Sequence, residues 1–258
     1  MAAEAKRCLA NGGLLESLQY FCERALLTPK NVVAESLNAV ILQSLDPTTH
    51  VTYTSVDTIE AATEKDNQLW PIDFLNSLTP SGMPPHALVL APGALIMLLR
   101  NIDTDVGLCN GARGLVMQAL PKVLDVLMVS GAAAGQRVYI PRMILAPKNP
   151  DLPFVLRRRQ FPVKLAWAMT INKAQGQTLK KVGVYLPDPV FSHGQLYVAL
   201  SRVASSSDIK VLVVTTERQG WFHDDMKGMM LHGDNVPWKV FRDQRPGIRM
   251  ACSFDGVA

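Results

Sequence analysis

Thr170-Ile-Asn-Lys-Ala-Gln-Gly-Gln-Thr178 decides how this chain is read. It follows Leu165-Ala-Trp-Ala-Met169, an apolar stretch with the length and composition of a buried strand. Ligands of open α/β sheets sit at the carboxyl ends of strands. Asn172-Lys-Ala-Gln175 has the N-x-x-Q form of a helix cap, so backbone N–H groups are expected to face that edge. A helix start carrying Thr170, Asn172, Lys173 and a conformationally free Gly176 suits a phosphate. A polar strand-to-helix turn without a ligand accounts for the same residues more simply.

A second motif follows. Ser192-His-Gly-Gln195 has the form of a capping box, which predicts a helix running through Arg202 with Leu196, Val198, Ala199 and Leu200 as its apolar face. Arginine keeps its charge and offers five donors in a rigid fork, which suits a phosphate in transit. Taken singly, Arg202 is as well explained by the favourable macrodipole at a helix C-terminus.

Outward from these motifs the frame is α/β. The pattern predicts a helix over Leu14–Leu27 and a strand end and turn at Leu27-Thr-Pro-Lys-Asn31. Asn31 is then an N-cap for a helix that ends at Asp46-Pro47. A strand is expected over Val51–Val56, and a short helix over Ile72–Leu78 inside a polar connector. The texture then changes. Ala87–Leu90, Leu95–Arg100, Gly114–Leu120, Val123–Val129 and Arg137–Ile140 read as short strands divided by glycine turns, the pattern of a small β-barrel. Strands at Lys181–Leu186 and Ile209–Val214 restore the α/β pattern. The expected segments are therefore 1–80 and 162–216 for the α/β part, 81–161 for an inserted barrel and 217–258 for a C-terminal extension.

Hydrophobic residues make up 48% and charged residues 19% of the 258, which excludes a disordered chain. The longest apolar run, Leu88–Leu99, is interrupted by Pro92 and Gly93, so no membrane span is expected, and Met1–Arg7 has no apolar core of a secretory signal. The four cysteines form no C-x-x-C pair; no metal site is expected, and His223-Asp-Asp and His232-Gly-Asp read as surface loop. Charge is uneven. Asp57, Glu60, Glu64, Asp66 and Asp73 crowd residues 51–80, while Arg157, Arg158, Arg159, Lys164, Lys173, Lys180 and Lys181 crowd residues 151–181. The basic stretch suits a phosphate backbone or, equally, a solvated face. Trp167, Tyr53, Phe161, Trp221 and Trp238 are the candidate base platforms, with core packing the stronger reading for Trp167.

In this frame the two motifs resemble the C-terminal half of a Pif-type superfamily-one DNA helicase, and within it the Helitron and plant-like branch. The likeness is carried by Leu27-Thr-Pro-Lys-Asn31 with Leu37-Asn38, Phe74-Leu-Asn-Ser-Leu78, Ser81-Gly-Met-Pro-Pro-His86, Gly93–Asn101, Gly107-Leu-Cys-Asn-Gly-Ala-Arg113, Arg158-Arg-Gln-Phe-Pro162, Thr170–Thr178 and Phe191–Val203. It implies an α/β fold, the RecA-like second motor domain of a P-loop helicase, with a small SH3-like β-barrel inserted. It implies that Arg202 is a catalytic arginine finger, with Gln175, Gly176, Gln195 and Tyr197 near ATP. It implies DNA contacts from Thr170, Asn172 and Lys173, from Asn31 and Asn38, and from Arg113, Arg157, Arg158 and Arg159 of the barrel. ATP and Mg²⁺ are the implied cofactors. Single-stranded or forked DNA and an N-terminal RecA-like domain carrying Walker A and B are the implied partners, and the nucleus, or else the mitochondrion, the implied location.

Two positions depart from the family's pattern: Asn172 stands for a histidine, which the Helitron-like branch tolerates, and Ala174 for a serine. No G-x-x-x-x-G-K-[ST] occurs, so the Lys and Ser/Thr that hold β/γ-phosphates and Mg²⁺ are missing, and the chain alone is expected to be inactive. A truncated nucleic-acid-binding or protein-binding module, and the helicase region of a Helitron transposase, stay open beside the motor reading.

Overall fold

Residues 23–60, 69–147, 152–188, 190, 192, 194–213, 238–241 and 250–254 are described by a computed structural model. In chain order its strands and helices are β1 (Arg24–Thr28), α1 (Asn31–Gln43), β2 (Val51–Thr54), β3 (Val56–Ile59), α2 (Ile72–Ser77), β4 (Ala87–Leu90), β5 (Leu95–Leu98), β6 (Arg113–Ala119), β7 (Val123–Met128), β8 (Arg137–Pro141), β9 (Met143–Leu145), β10 (Leu156–Gln160), β11 (Val163–Leu165), β12 (Ala168–Thr170), β13 (Lys181–Leu186), α3 (Gln195–Leu200), β14 (Ile209–Val213), β15 (Trp238–Phe241) and β16 (Met250–Phe254). No helix among the described residues is long and apolar enough to cross a membrane.

The chain divides into two compact units, one formed by Val40–Ala166 and the other by Glu23–Ala39 with residues 167 onward. Residues 40–80, grouped with the α/β part on sequence grounds, thus cluster with the β-rich unit. The expected strand Leu165–Met169 straddles this division. Ala166 N–H donates to the Leu95 carbonyl, whereas the Trp167 carbonyl accepts from Leu26 N–H. Pairing partners change between those two residues, so one apolar run supplies the ends of two strands. The helix expected over Leu14–Leu27 gives way to β1 at Arg24; its earlier part, like His223, Trp221 and most of 217–258, lies outside the described residues.

In the β-rich unit, β11, β5, β6, β7 and β8 form one antiparallel sheet in that order. It holds four of the five strands expected for the barrel. The fifth, β4, pairs with β2 instead. β3, β10 and β9 form a third sheet with β10 in the middle. β9, β10 and β11 were not foreseen, because three arginines and short lengths hide their alternation. That alternation is strict in β10: Leu156, Arg158 and Gln160 are buried, Arg157 and Arg159 exposed.

Arg158 is fully buried and forms a bidentate pair with Asp57 of β3, Nε–Oδ1 2.9 Å and Nη2–Oδ2 2.6 Å. Two further donors reach the carbonyls of Pro84 (3.0 Å) and Leu75 (3.0 Å), tying α2 and the turn before β4 to the sheet. Ser55 Oγ donates to Asp57 Oδ1 and lies 2.8 Å from His86 Nδ1. Beside this network, Arg157 pairs with Glu60. Asp57 and Glu60 of the acidic stretch are thus matched by Arg158 and Arg157 of the basic one. Tyr53 and Phe161 are buried and meet edge to face at 4.9 Å under the Arg142 guanidinium, so neither is a base platform.

Two predictions follow from these pairs. Removing one partner of a buried ion pair strands the other charge, at a cost of about 3–5 kcal/mol. Arg158→Met should lower the denaturant-unfolding free energy by that order, and Asp57→Leu with Arg158→Met should recover much of it. The second concerns Asp125 of β7, whose carboxylate is buried and bonded by Arg137. The Arg137 guanidinium, by hydrogen bond first and charge second, holds the Asp125 carboxyl below its ordinary 3.8. A depressed carboxyl stabilises the fold above the unfolded value and loses that contribution as pH falls through the folded one. Unfolding free energy of Asp125→Asn should thus fall less steeply below pH ~4 than that of the parent, read by acid titration of the unfolding transition.

Candidate functional site

In the α/β unit, β12, β1, β13 and β14 lie side by side and parallel, so their carboxyl ends share one edge. Thr28 and Thr170 are register partners at that edge, and both are buried. The Thr28 hydroxyl has no hydrogen-bond partner among the described residues. Just beyond, Lys30 and Asp188 form a half-exposed ion pair of 3.0 Å. Asn38 fixes β12 from α1: its Nδ2 donates to the Ala168 carbonyl and its Oδ1 accepts from Ala168 N–H, both at 2.8 Å. Buried and doubly bonded in this way, Asn38 acts on the strand and not on solvent. Asn31, expected as the N-cap, is the first residue of α1; Ala34 N–H donates to the Lys30 carbonyl one position earlier.

After Thr170 the chain makes a single 3-10 turn, Ile171–Ala174. Asn172 lies inside it and caps nothing. A four-residue turn has too few aligned peptides to give the helix N-terminus expected for phosphate. What the turn does is sort side chains: Ile171 and Ala174 face inward, Asn172 and Lys173 outward. Gln175 is exposed, and Gly176 takes φ +78° with no atom near a would-be Cβ, so its need is for backbone conformation and not for space. Leu179 N–H then donates to the Arg202 carbonyl, and Lys180 and Lys181 N–H both donate to Glu23, which precedes β1. The segment 171–180 therefore runs the length of β1, roughly 15 Å, from the carboxyl edge to the amino edge.

Arg202 holds the far end of that segment. Its Nε donates to the Val198 carbonyl (2.8 Å), Nη1 to the Gln177 carbonyl (3.2 Å) and Nη2 to Ser201 Oγ (2.9 Å). Three of the five N–H groups are engaged, leaving one on each terminal nitrogen. α3 is shorter than expected. It begins at Gln195 behind Gly194 at φ +76°, without a side-chain cap, so Ser192 and Gln195 do not form the capping box. Gln195 is 3% exposed and both its amide atoms lack a hydrogen-bond partner among the described residues; Tyr197 is 66% exposed.

Among the barrel arginines proposed for DNA, Arg113 is 1% exposed and Arg158 is the buried partner of Asp57. Neither is placed to touch a strand. Arg157 and Arg159 face outward. Thr28 and Lys30 went unassigned in the sequence reading; the register of Thr28 with Thr170 was the signal, and it exists only once strand neighbours are known. No group of three or more His, Cys, Asp or Glu that could hold a metal ion occurs among the described residues.

Residues 73–119 match the family model of the DNA helicase Pif1 2B domain. The chain is 40% identical over 131 residues to the ATP-dependent DNA helicase PIF1 of Danio rerio, covering 48% of this chain and 19% of that protein. It is 28% identical over 186 residues to the ATP-dependent DNA helicase Pif1 of Bdellovibrio bacteriovorus, covering 72% of this chain and 38% of that protein. The chain thus spans well under half the length of these relatives. A crystal structure of a Bacteroides Pif1 helicase with ADP-AlF3 and single-stranded DNA superposes with TM-score 0.56 at 22% identity, covering 90% of this chain and 54% of that one. That likeness shows the fold, RecA-like α/β with a β-rich insert. Together the matches relate the chain to the C-terminal region of Pif1-family superfamily-one DNA helicases.

The Arg202 anchorage carries a prediction. Lysine cannot span the Val198 and Gln177 carbonyls together. Arg202→Lys should speed amide exchange across Gln175–Thr178 by about tenfold or more, the equivalent of one net hydrogen bond, while β13 keeps its protection.

Proposed function

We propose that this chain is the second motor half of an ATP-dependent 5′-to-3′ DNA helicase, and that it completes an ATP site begun by a RecA-like half carrying Walker A and B. The observation that carries this reading is the Arg202 anchorage. A guanidinium held by two carbonyls and a hydroxyl, with two donors left over, is oriented in advance for a phosphoryl oxygen. Such a group needs no reorganisation when charge develops, which is the condition for an arginine finger. The two free donors of Arg202 suit the anionic end of a nucleotide, and the Mg²⁺ ligands are assigned to the half that carries the phosphate loop.

The second role is transmission. Asn172 and Lys173 stand exposed at one end of segment 171–180, and Arg202 grips Gln177 toward the other. A shift of the guanidinium toward phosphate pulls on the Gln177 carbonyl and so on the turn that presents Lys173 to single-stranded DNA. Gln195, at the head of α3, has a buried amide with no hydrogen-bond partner among the described residues and is assigned to the nucleotide. Asn172 is compatible with the Helitron-like branch, in which unwinding would serve transposition.

The test is reconstitution. The chain alone should show no ATPase above background. Mixed with a Pif-type N-terminal motor half and oligo-dT it should hydrolyse ATP, and Arg202→Ala should lower that rate by about 10³ or more. Hydrolysis by the unmixed chain, or full activity of the variant, overturns the reading.

A further inference from the structure

α1 buries one stripe of side chains, Ala34, Asn38, Ile41 and Leu42, and Asn38 is its only polar member. An amide on a buried face is unfavourable unless its donor and acceptor are both bonded. Here both go to one residue. β12 is the outer strand of its sheet among the described residues. It joins β1 through the Trp167 carbonyl, which accepts from Leu26 N–H, so in a parallel ladder the Ala168 N–H and carbonyl point the other way. Ala168 is 1% exposed, and solvent does not serve these groups. Asn38 Oδ1 accepts from the N–H and Nδ2 donates to the carbonyl, each at 2.8 Å. One side chain thus takes the place of a neighbouring strand.

We infer that Asn38 is a positioning residue for the Ile171–Ala174 turn: by clamping the outer side of β12 just before Thr170, it sets where Asn172 and Lys173 stand, without touching nucleic acid itself. Only a carboxamide supplies a donor and an acceptor side by side. A leucine at this position would suit the buried stripe but leave the Ala168 groups bare. An aspartate would keep the acceptor and set a carboxylate against the Ala168 carbonyl. With β1 on its inner side and Asn38 on its outer side, β12 is held from both, and the turn starts from a fixed base. This role rests on the nucleic-acid part of the function proposed above. It replaces the direct DNA contact that the family likeness implied for Asn38.

The full chain is titrated with fluorescent oligo-dT as the parent, as Asn38→Asp and Asn38→Leu, as Lys173→Gln, and as each Asn38 variant combined with Lys173→Gln. Each Asn38 variant should weaken binding several-fold in the parent and by a clearly smaller factor beside Lys173→Gln, because the turn then has no cation to place. Amide exchange should quicken across Ala168–Lys173 while β13 and β14 keep their protection. Val211→Ala, in the buried core of β14, is the control for lost stability: it should lower the thermal midpoint and leave oligo-dT binding as it is. Equal factors with and without Lys173 overturn the role in favour of a direct contact. An equal loss of binding in Val211→Ala, or failure of both Asn38 variants to fold, overturns it in favour of a residue that serves the fold at large. If the parent binds oligo-dT and the Asn38 variants match it, this role alone falls. If the parent binds none, the nucleic-acid reading falls and this role with it.

Discussion

A guanidinium sits in a protein interior only where acceptors replace water, and Arg158 finds them for four of its five N–H groups in three separate parts of the chain. Asp57 takes two of its bonds, and Leu75 and Pro84 one each. The ion pair itself adds little net stability once desolvation is counted. Its effect is to bind β3, β10, α2 and the turn before β4 to one point, so that none can shift without exposing a bare charge. The rest of the unit is arranged around that requirement: Ser55 and His86 complete the Asp57 side, and Gln160 spans the Tyr53 and His86 carbonyls.

In the α/β unit the crossover from β12 to β13 is governed by its hydrogen bonds. A parallel strand of the same sheet must be reached by a crossover that returns the chain to the amino edge, commonly a dozen residues or more. Residues 171–180 make that return past β1 with a single 3-10 turn and no full helix. Ten extended residues could reach about 33 Å, so the connector has slack that its bonds take up. Its two ends are held by Thr170 in β12 and by the Glu23 carbonyl, and its course by the Arg202 bonds. A connector under these conditions behaves as a strut, and displacement at one end is passed to the other.

The parts of the fold legible in the sequence were those with a clean local period. α1, α2, β4 to β8, β13 and β14 fall within a residue or two of where their patterns put them. The parts that were not legible depended on partners distant in sequence. Asn38 looks like a polar surface residue until Ala168 is beside it. Arg113 and Arg158 look like a basic surface because nothing local says that the side chains point inward. The capping boxes at Asn172 and Ser192 failed for a related reason: the short crossover and Gly194 set the backbone there, and side-chain caps had no say. At the candidate site, the sequence singled out Arg202 and Lys173, but not that they stand toward opposite ends of one segment.

The three consecutive arginines of β10 have one more implication, for alignment of the strand itself. A slip of one residue turns a strand over. Here it would still present an arginine to Asp57, because Arg157 and Arg159 are chemically the same as Arg158. The ion pair therefore cannot tell the right alignment from its two neighbours. Discrimination falls to the flanks. Leu156 would be turned out to water, and Gln160 would lose the Tyr53 and His86 carbonyls and the Phe161 amide that it joins. The strand's most strongly charged residues are thus ambiguous about their own address, and a neutral glutamine at the end of the run supplies it.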